Sequence, residues 1–218
     1  MKLRKYHYAG ILGAVIVGIL IVLFQFNLLS PGNQGNQASN QVAYLDFSYE
    51  EANSGLKSSL ASQQINMSNP LKFNTPTTIN QYCNFLTDSK KQSLVTYCTS
   101  AELKDKQGFL GDINMVGSTD APGLLIVAIQ SNPMLTNYDS VKMVFGTVIN
   151  YTICQCWEKE KPKSYPTLSS MVDSFRDFHI NGKKPDSRTT PIPLGNKHFE
   201  MELTTNGNGY LWKLLVGK

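Results

Sequence analysis

The longest apolar run in the chain is Ala9 to Leu29, AGILGAVIVGILIVLFQFNLL, which carries no charge and is interrupted only by Gln25 and Asn27. At about 1.5 Å per residue it spans roughly 30 Å, the thickness of a hydrocarbon core. A cleaved secretory signal has a shorter apolar region followed by a small-residue cleavage site, so the run reads as an uncleaved signal anchor. Residues 1–8 are then a short stub and 9–29 a single transmembrane helix. Ser30 to Asn40 holds no large apolar residue, which makes 30–43 a flexible tether.

Residues 44–218 carry mixed periodicities. Ser48 and Glu51 form a capping box ahead of Tyr49, Ala52, Leu56 and Leu60 at helical spacing, with Gly55 weakening that helix by about 1 kcal/mol relative to Ala. Pro76 to Thr99 reads as a helix pair: Ile79, Tyr82, Cys83 and Leu86 form one stripe, and Ser89 to Gln92 a second capping box before Leu94, Val95 and Cys98. After Gly108 the pattern turns to strands, with Leu124 to Ile129 closed by Asn132 and Pro133. Val141 to Trp157 reads as one long strand with an apolar odd face and Gly146 at a bulge or bend. Leu168, Met171, Val172, Phe175 and Phe178 mark an amphipathic helix ending near Gly182, Lys183 to Asn196 a loop, and Phe199 to Val216 a hairpin turning at Asn206–Gly209. The expected architecture is α+β: an N-terminal transmembrane helix, then one domain (44–218) with helices packed on one face of a curved antiparallel sheet.

Charge then sets direction. Of the formal +4, Lys2, Arg4 and Lys5 supply +3, and no further formal charge appears before Asp46. The positive-inside rule puts the stub in the cytoplasm and the domain outside the cell membrane. Residues 6–218 are nearly neutral and show no concentrated basic face, which argues against a nucleic-acid partner. Gly10, Ala14 and Gly18 lie on one helix face, a small-residue stripe that lets another membrane helix or a second copy pack closely.

Four cysteines in the domain fit an oxidising compartment. On a strand, Cys154 and Cys156 share a face but diverge, which argues against a bridge between them. Two frameworks stay open: both joined to Cys83 and Cys98, or Cys83 closed to Cys98 with the Cys-x-Cys pair free. The free pair, Cys154 and Cys156, would offer thiolates to zinc or copper, without the paired knuckles of a zinc site.

Catalytic signatures are missing: the sequence has no G-x-S-x-G elbow, H-E-x-x-H pair or phosphate loop. His179 and His198 have structural explanations, His7 lies in the stub, and Asp105, Asp112 and Asp120 read as solvated loop acids. Neither an enzyme nor a cofactor is expected. Asn66-Met-Ser and Asn150-Tyr-Thr are glycosylation sequons; on the expected strand Asn150 shares its face with both cysteines.

Two stretches resemble a known family. Ile79 to Leu103, INQYCNFLTDSKKQSLVTYCTSAEL, looks like the opening helices of nuclear transport factor 2-like domains, and Asn208 to Val216, NGYLWKLLV, is similar to their closing strand. The resemblance covers about a sixth of the chain and implies a cone-shaped sheet with a cavity beneath its helices. The expected function is a non-catalytic, single-pass membrane protein with an extracytoplasmic interaction domain, an accessory subunit of a membrane or cell-surface complex. The alternatives are a small-ligand carrier or sensor using such a cavity, a copper- or zinc-handling protein, and a pilin-like surface subunit.

Overall fold

Ser48 opens the first helix as expected: its Oγ accepts the Glu51 N–H at 3.2 Å, and α1 runs Tyr49–Ala61 with Ala52, Leu56 and Leu60 buried. The structure is a computed structural model describing residues 43–218, in which helices pack on a curved antiparallel sheet. The signal anchor, the Gly10, Ala14 and Gly18 stripe and nearly all of the tether lie outside the described residues. Among the described residues no helix is long and apolar enough to cross a membrane.

The sheet is built from β1 (Asn66–Met67), β2 (Leu71–Phe73), β3 (Tyr97–Asp105), β4 (Gly108–Gly117), β5 (Pro122–Ser131), β6 (Asp186–Arg188), β7 (Ile192–Leu194), β8 (Lys197–Asn206) and β9 (Gly209–Gly217). Its order is β1-β3-β4-β5-β9-β8-β6, with β2 paired to β3 and β7 to β8. Every pairing is antiparallel. Strand alternation separates two faces. One face carries Ala101, Ile113, Met115, Leu125, Val127, Leu214, Phe199 and Met201, all buried in the main core.

That face is roofed by α1, by α4 (Tyr138–Thr152) and by α6 (Leu168–Asn181). The second of these corrects the sequence reading, because 138–152 is helical and not part of a long strand. Its buried positions are Tyr138, Val141, Val144, Phe145, Thr147, Val148, Ile149 and Thr152, a stripe that follows the helical period, whereas the odd positions Met143 and Tyr151 are exposed. The many β-branched residues lower helix propensity, but the core face needs a cover after β5 and tertiary packing prevails. Gly146 lies inside α4 and is no bulge.

The helix pair is also corrected. The first helix, α2 (Pro76–Tyr82), stands as expected, but α3 is a single turn, Ser89–Gln92, capped by Asp88 Oδ1 accepting the Lys90 N–H at 2.9 Å. Gln92 folds back instead of extending a helix, accepting from Leu86 N and donating to Cys83 O, each at 3.1 Å. Cys98 therefore lies on β3, opposite Val116 of β4. Ile79, Cys83, Val95, Cys98 and Val116 make a second, smaller core on the opposite face, so at the β3–β5 end the sheet is covered on both sides.

The helix Leu168–Asn181 and the β8–β9 hairpin stand where the sequence places them, with Thr167 and Ser170 completing a capping box. The expected loop 183–196 holds the two short strands β6 and β7. A one-turn helix α5 (Trp157–Glu160) and a 3-10 turn (Pro162–Ser164) link α4 to α6. Among the largest fully buried side chains of the main core are Trp212, Phe145 and Phe199.

Candidate functional site

Both disulfides join cysteines named from the sequence, in a pairing that combines a bridge from one of the two frameworks left open with one argued against. Cys83 bonds Cys98 and Cys154 bonds Cys156. The second corrects the reading against such a bridge: these residues are not on a strand but on the bend between α4 and α5, where Ile153 caps one helix and Cys156 begins the next. A chain that turns brings i and i+2 together. Two bridged pairs fit a domain held in an oxidising, extracytoplasmic compartment.

Cys83–Cys98 fixes the α2–α3 segment against the outer face of the sheet, and this creates a groove of about 240 Å³. One lip is Leu86, Thr87, Asp88 and Lys91; the other is the outer row of β8 and its neighbour β6, namely His198, Glu200 and Arg188. Half-buried Leu86, Leu124 and Leu215 supply its apolar surface. Alternation places Glu200 and Glu202 outward on β8, where Arg188 bonds Glu200 Oε2 through Nε and Nη2, both at 2.7 Å, and Glu202 at 3.3 Å. Hydrogen bonding to Glu200 raises the Arg188 pKa above its ordinary value and keeps this cation charged. The groove therefore combines an apolar floor with fixed charges of both signs.

Farther along the same face, Asp112 departs from its expected role. It lies within β4, opposite Glu102, and bonds Asn114. Burial, helped by the Glu102 charge, raises its pKa above the usual carboxylate range despite the Asn114 hydrogen bond. Asp105 caps the β3–β4 turn and accepts from Ser140 Oγ at 2.8 Å, while Asp120 is exposed.

At the α4–α5 bend, Glu160 joins the cysteines: the two sulfurs and its carboxylate lie within 4.8 Å of one another, and its Oε2 accepts the Gly195 N–H at 3.0 Å. Among the described residues this is the one group of three potential metal ligands. In the bridged form neither sulfur is a thiolate, so the trio presents a metal with only the Glu160 carboxylate. Glu160 went unnoticed in the sequence although it stands one helical turn after Cys156.

His179 is buried at 1% exposure, its Nδ1 2.9 Å from Ser187 Oγ and its Nε2 2.8 Å from Thr205 Oγ1. Hydroxyls can serve either tautomer, and both nitrogens are satisfied. His198 lines the groove. Asn66 on β1 and Asn150 on α4 are both exposed, and Asn150 sits on a helix, not on a strand face shared with the cysteines. Compared with known protein families, curated proteins and solved structures, the chain finds no match.

Proposed function

We propose that the chain is a non-catalytic, single-pass membrane protein whose extracytoplasmic domain docks a protein partner, as an accessory subunit of a membrane or cell-surface complex. The groove between the stapled α2–α3 segment and the outer sheet face carries this reading. An apolar floor of Leu86, Leu124 and Leu215 rimmed by Asp88, Lys91, Arg188 and Glu200 has the anatomy of a protein contact, apolar at its centre and charged at its edge. The large side chains buried in the main core, Trp212, Phe145 and Phe199, support such an external contact over an enclosed small-ligand site. The uncharged Ala9–Leu29 run behind a basic stub supports the anchored topology, and the two disulfides support the compartment.

Blue-native electrophoresis of gently solubilised membranes tests it. The wild-type chain is expected in a species larger than its monomer, and Leu124→Lys/Leu215→Lys, checked for native circular dichroism, is expected to release the monomer. A wild-type chain that migrates as a monomer in several mild detergents defeats the proposal.

A further inference from the structure

The two disulfides differ in burial and in the length of chain they close. Cys83 and Cys98 are fully buried and close a loop 15 residues apart; Cys154 and Cys156 are half-buried and only two apart. Loop closure so short removes little freedom from the unfolded chain, so the second bond contributes little to holding the fold. Its neighbours hold the bend without it. Thr152 on one side and Trp157 on the other are buried, and Trp157 Nε1 donates to Tyr165 O at 3.2 Å.

From this contrast we propose that Cys154–Cys156 is a thiol–disulfide exchange site for a dithiol donor, while Cys83–Cys98 is inert. The Gly195 backbone lies over Cys154: a Cβ built there would sit 3.4 Å from its sulfur. In the proposed exchange Cys156, on the side away from Gly195, is the sulfur attacked. A donor thiolate bonds Cys156 Sγ and breaks the Cys154–Cys156 bond; the electron pair leaves on Cys154, which takes a proton from solvent. The donor's second thiolate then attacks the mixed disulfide, and Cys156 leaves and is protonated in turn. The donor is oxidised by two electrons to its disulfide, and the protein gains two thiols. The Glu160 carboxylate beside the sulfurs opposes negative charge on the departing thiolate and slows the reduction.

The test is reduction of the native full-length chain in mild detergent, quenched by alkylation and mapped by peptide mass spectrometry, with dithiothreitol in one arm and reduced thioredoxin in the other. Cys154 and Cys156 are expected to be labelled on the order of tenfold or more faster than Cys83 and Cys98, with unchanged far-UV circular dichroism. Reduction by thioredoxin assigns the donor to dithiol proteins, and reduction by dithiothreitol alone to small dithiols. Glu160→Gln is expected to speed the reaction severalfold, and the lone Cys156 of Cys154→Ser to react with an aromatic disulfide faster than the lone Cys154 of Cys156→Ser. Equal rates at both bridges, prior opening of Cys83–Cys98, or loss of the helical signal along with the Cys154–Cys156 bond overturns the proposal.

Discussion

Lys197 and Asp46 form an ion pair in which the lysine side chain is 4% exposed and the carboxylate 44%. Lys197 is the inward residue that begins β8, and Asp46 lies three residues before α1, so one contact fastens the start of the described domain to its terminal hairpin. Hydrogen bonding to Lys197, and to Asn196 at 3.2 Å, lowers the Asp46 pKa although burial opposes it.

Asp46→Asn strands a buried cation and is expected to cost about 1–3 kcal/mol, less than a fully buried pair because water reaches the carboxylate. Lys197→Met, which removes the charge and keeps the volume, is expected to cost less. Since the folded-state pKa of Asp46 is depressed, its contribution is present above the unfolded value near 4 and disappears as pH falls through the folded one. Urea melts between pH 3 and 7 read this directly; an Asp46→Asn variant as acid-sensitive as the wild type contradicts the assignment.

His179 works in the opposite region of pH. Burial lowers its pKa, with Asp186 raising it and Lys184 lowering it further; Ser187, Thr205 and the edge of Tyr210 complete its surroundings. The unfolded chain takes up the proton first, so stability is full above about pH 6.5 and declines as pH falls toward the folded value. His179→Gln should flatten that decline and leave the acid limb from Asp46, a separation that two-variant denaturation curves can resolve.

Gly55 marks the crossing of α1 and α4. A Cβ there would occupy the Tyr151 ring, whose hydroxyl donates to Glu51 O at 3.1 Å. Gly55→Val is expected to destabilise by about 1–3 kcal/mol through overpacking, and Tyr151→Ala in the same chain should recover much of it. If Tyr151→Ala does not rescue Gly55→Val, the two helices do not meet as described.

Cys83→Ser/Cys98→Ser removes a buried bridge and is expected to lower stability by about 2–4 kcal/mol in thermal or urea unfolding. Because that bridge sets one lip of the groove, any partner captured by the wild type should bind the variant more weakly even at temperatures where both are folded. Equal binding places the contact elsewhere.

The β8–β9 hairpin, α1 and α6 were legible because turn residues, caps and a single dominant period agree over each segment. In Val141–Ile153 they conflict: a helical burial stripe is written in strand-forming residues, and only the uncovered sheet decides between them. The Cys154–Cys156 bridge was lost with that helix, since a strand separates two cysteines that a bend brings together. Lys197 was within reach, because extending the alternation of Leu203, Met201 and Phe199 back by one step points a lysine inward. The groove was not, because Leu86, Leu124 and Leu215 come from three distant segments that only the sheet order and the Cys83–Cys98 link make neighbours.

That link also gives the groove a history. With Cys83 and Cys98 reduced, the α2–α3 lip keeps its apolar contacts and the two hydrogen bonds of Gln92. On the extracytoplasmic topology proposed above, forming the Cys83–Cys98 bond is the step that locks the lip, so the proposed recognition surface would be completed only where that bond can form.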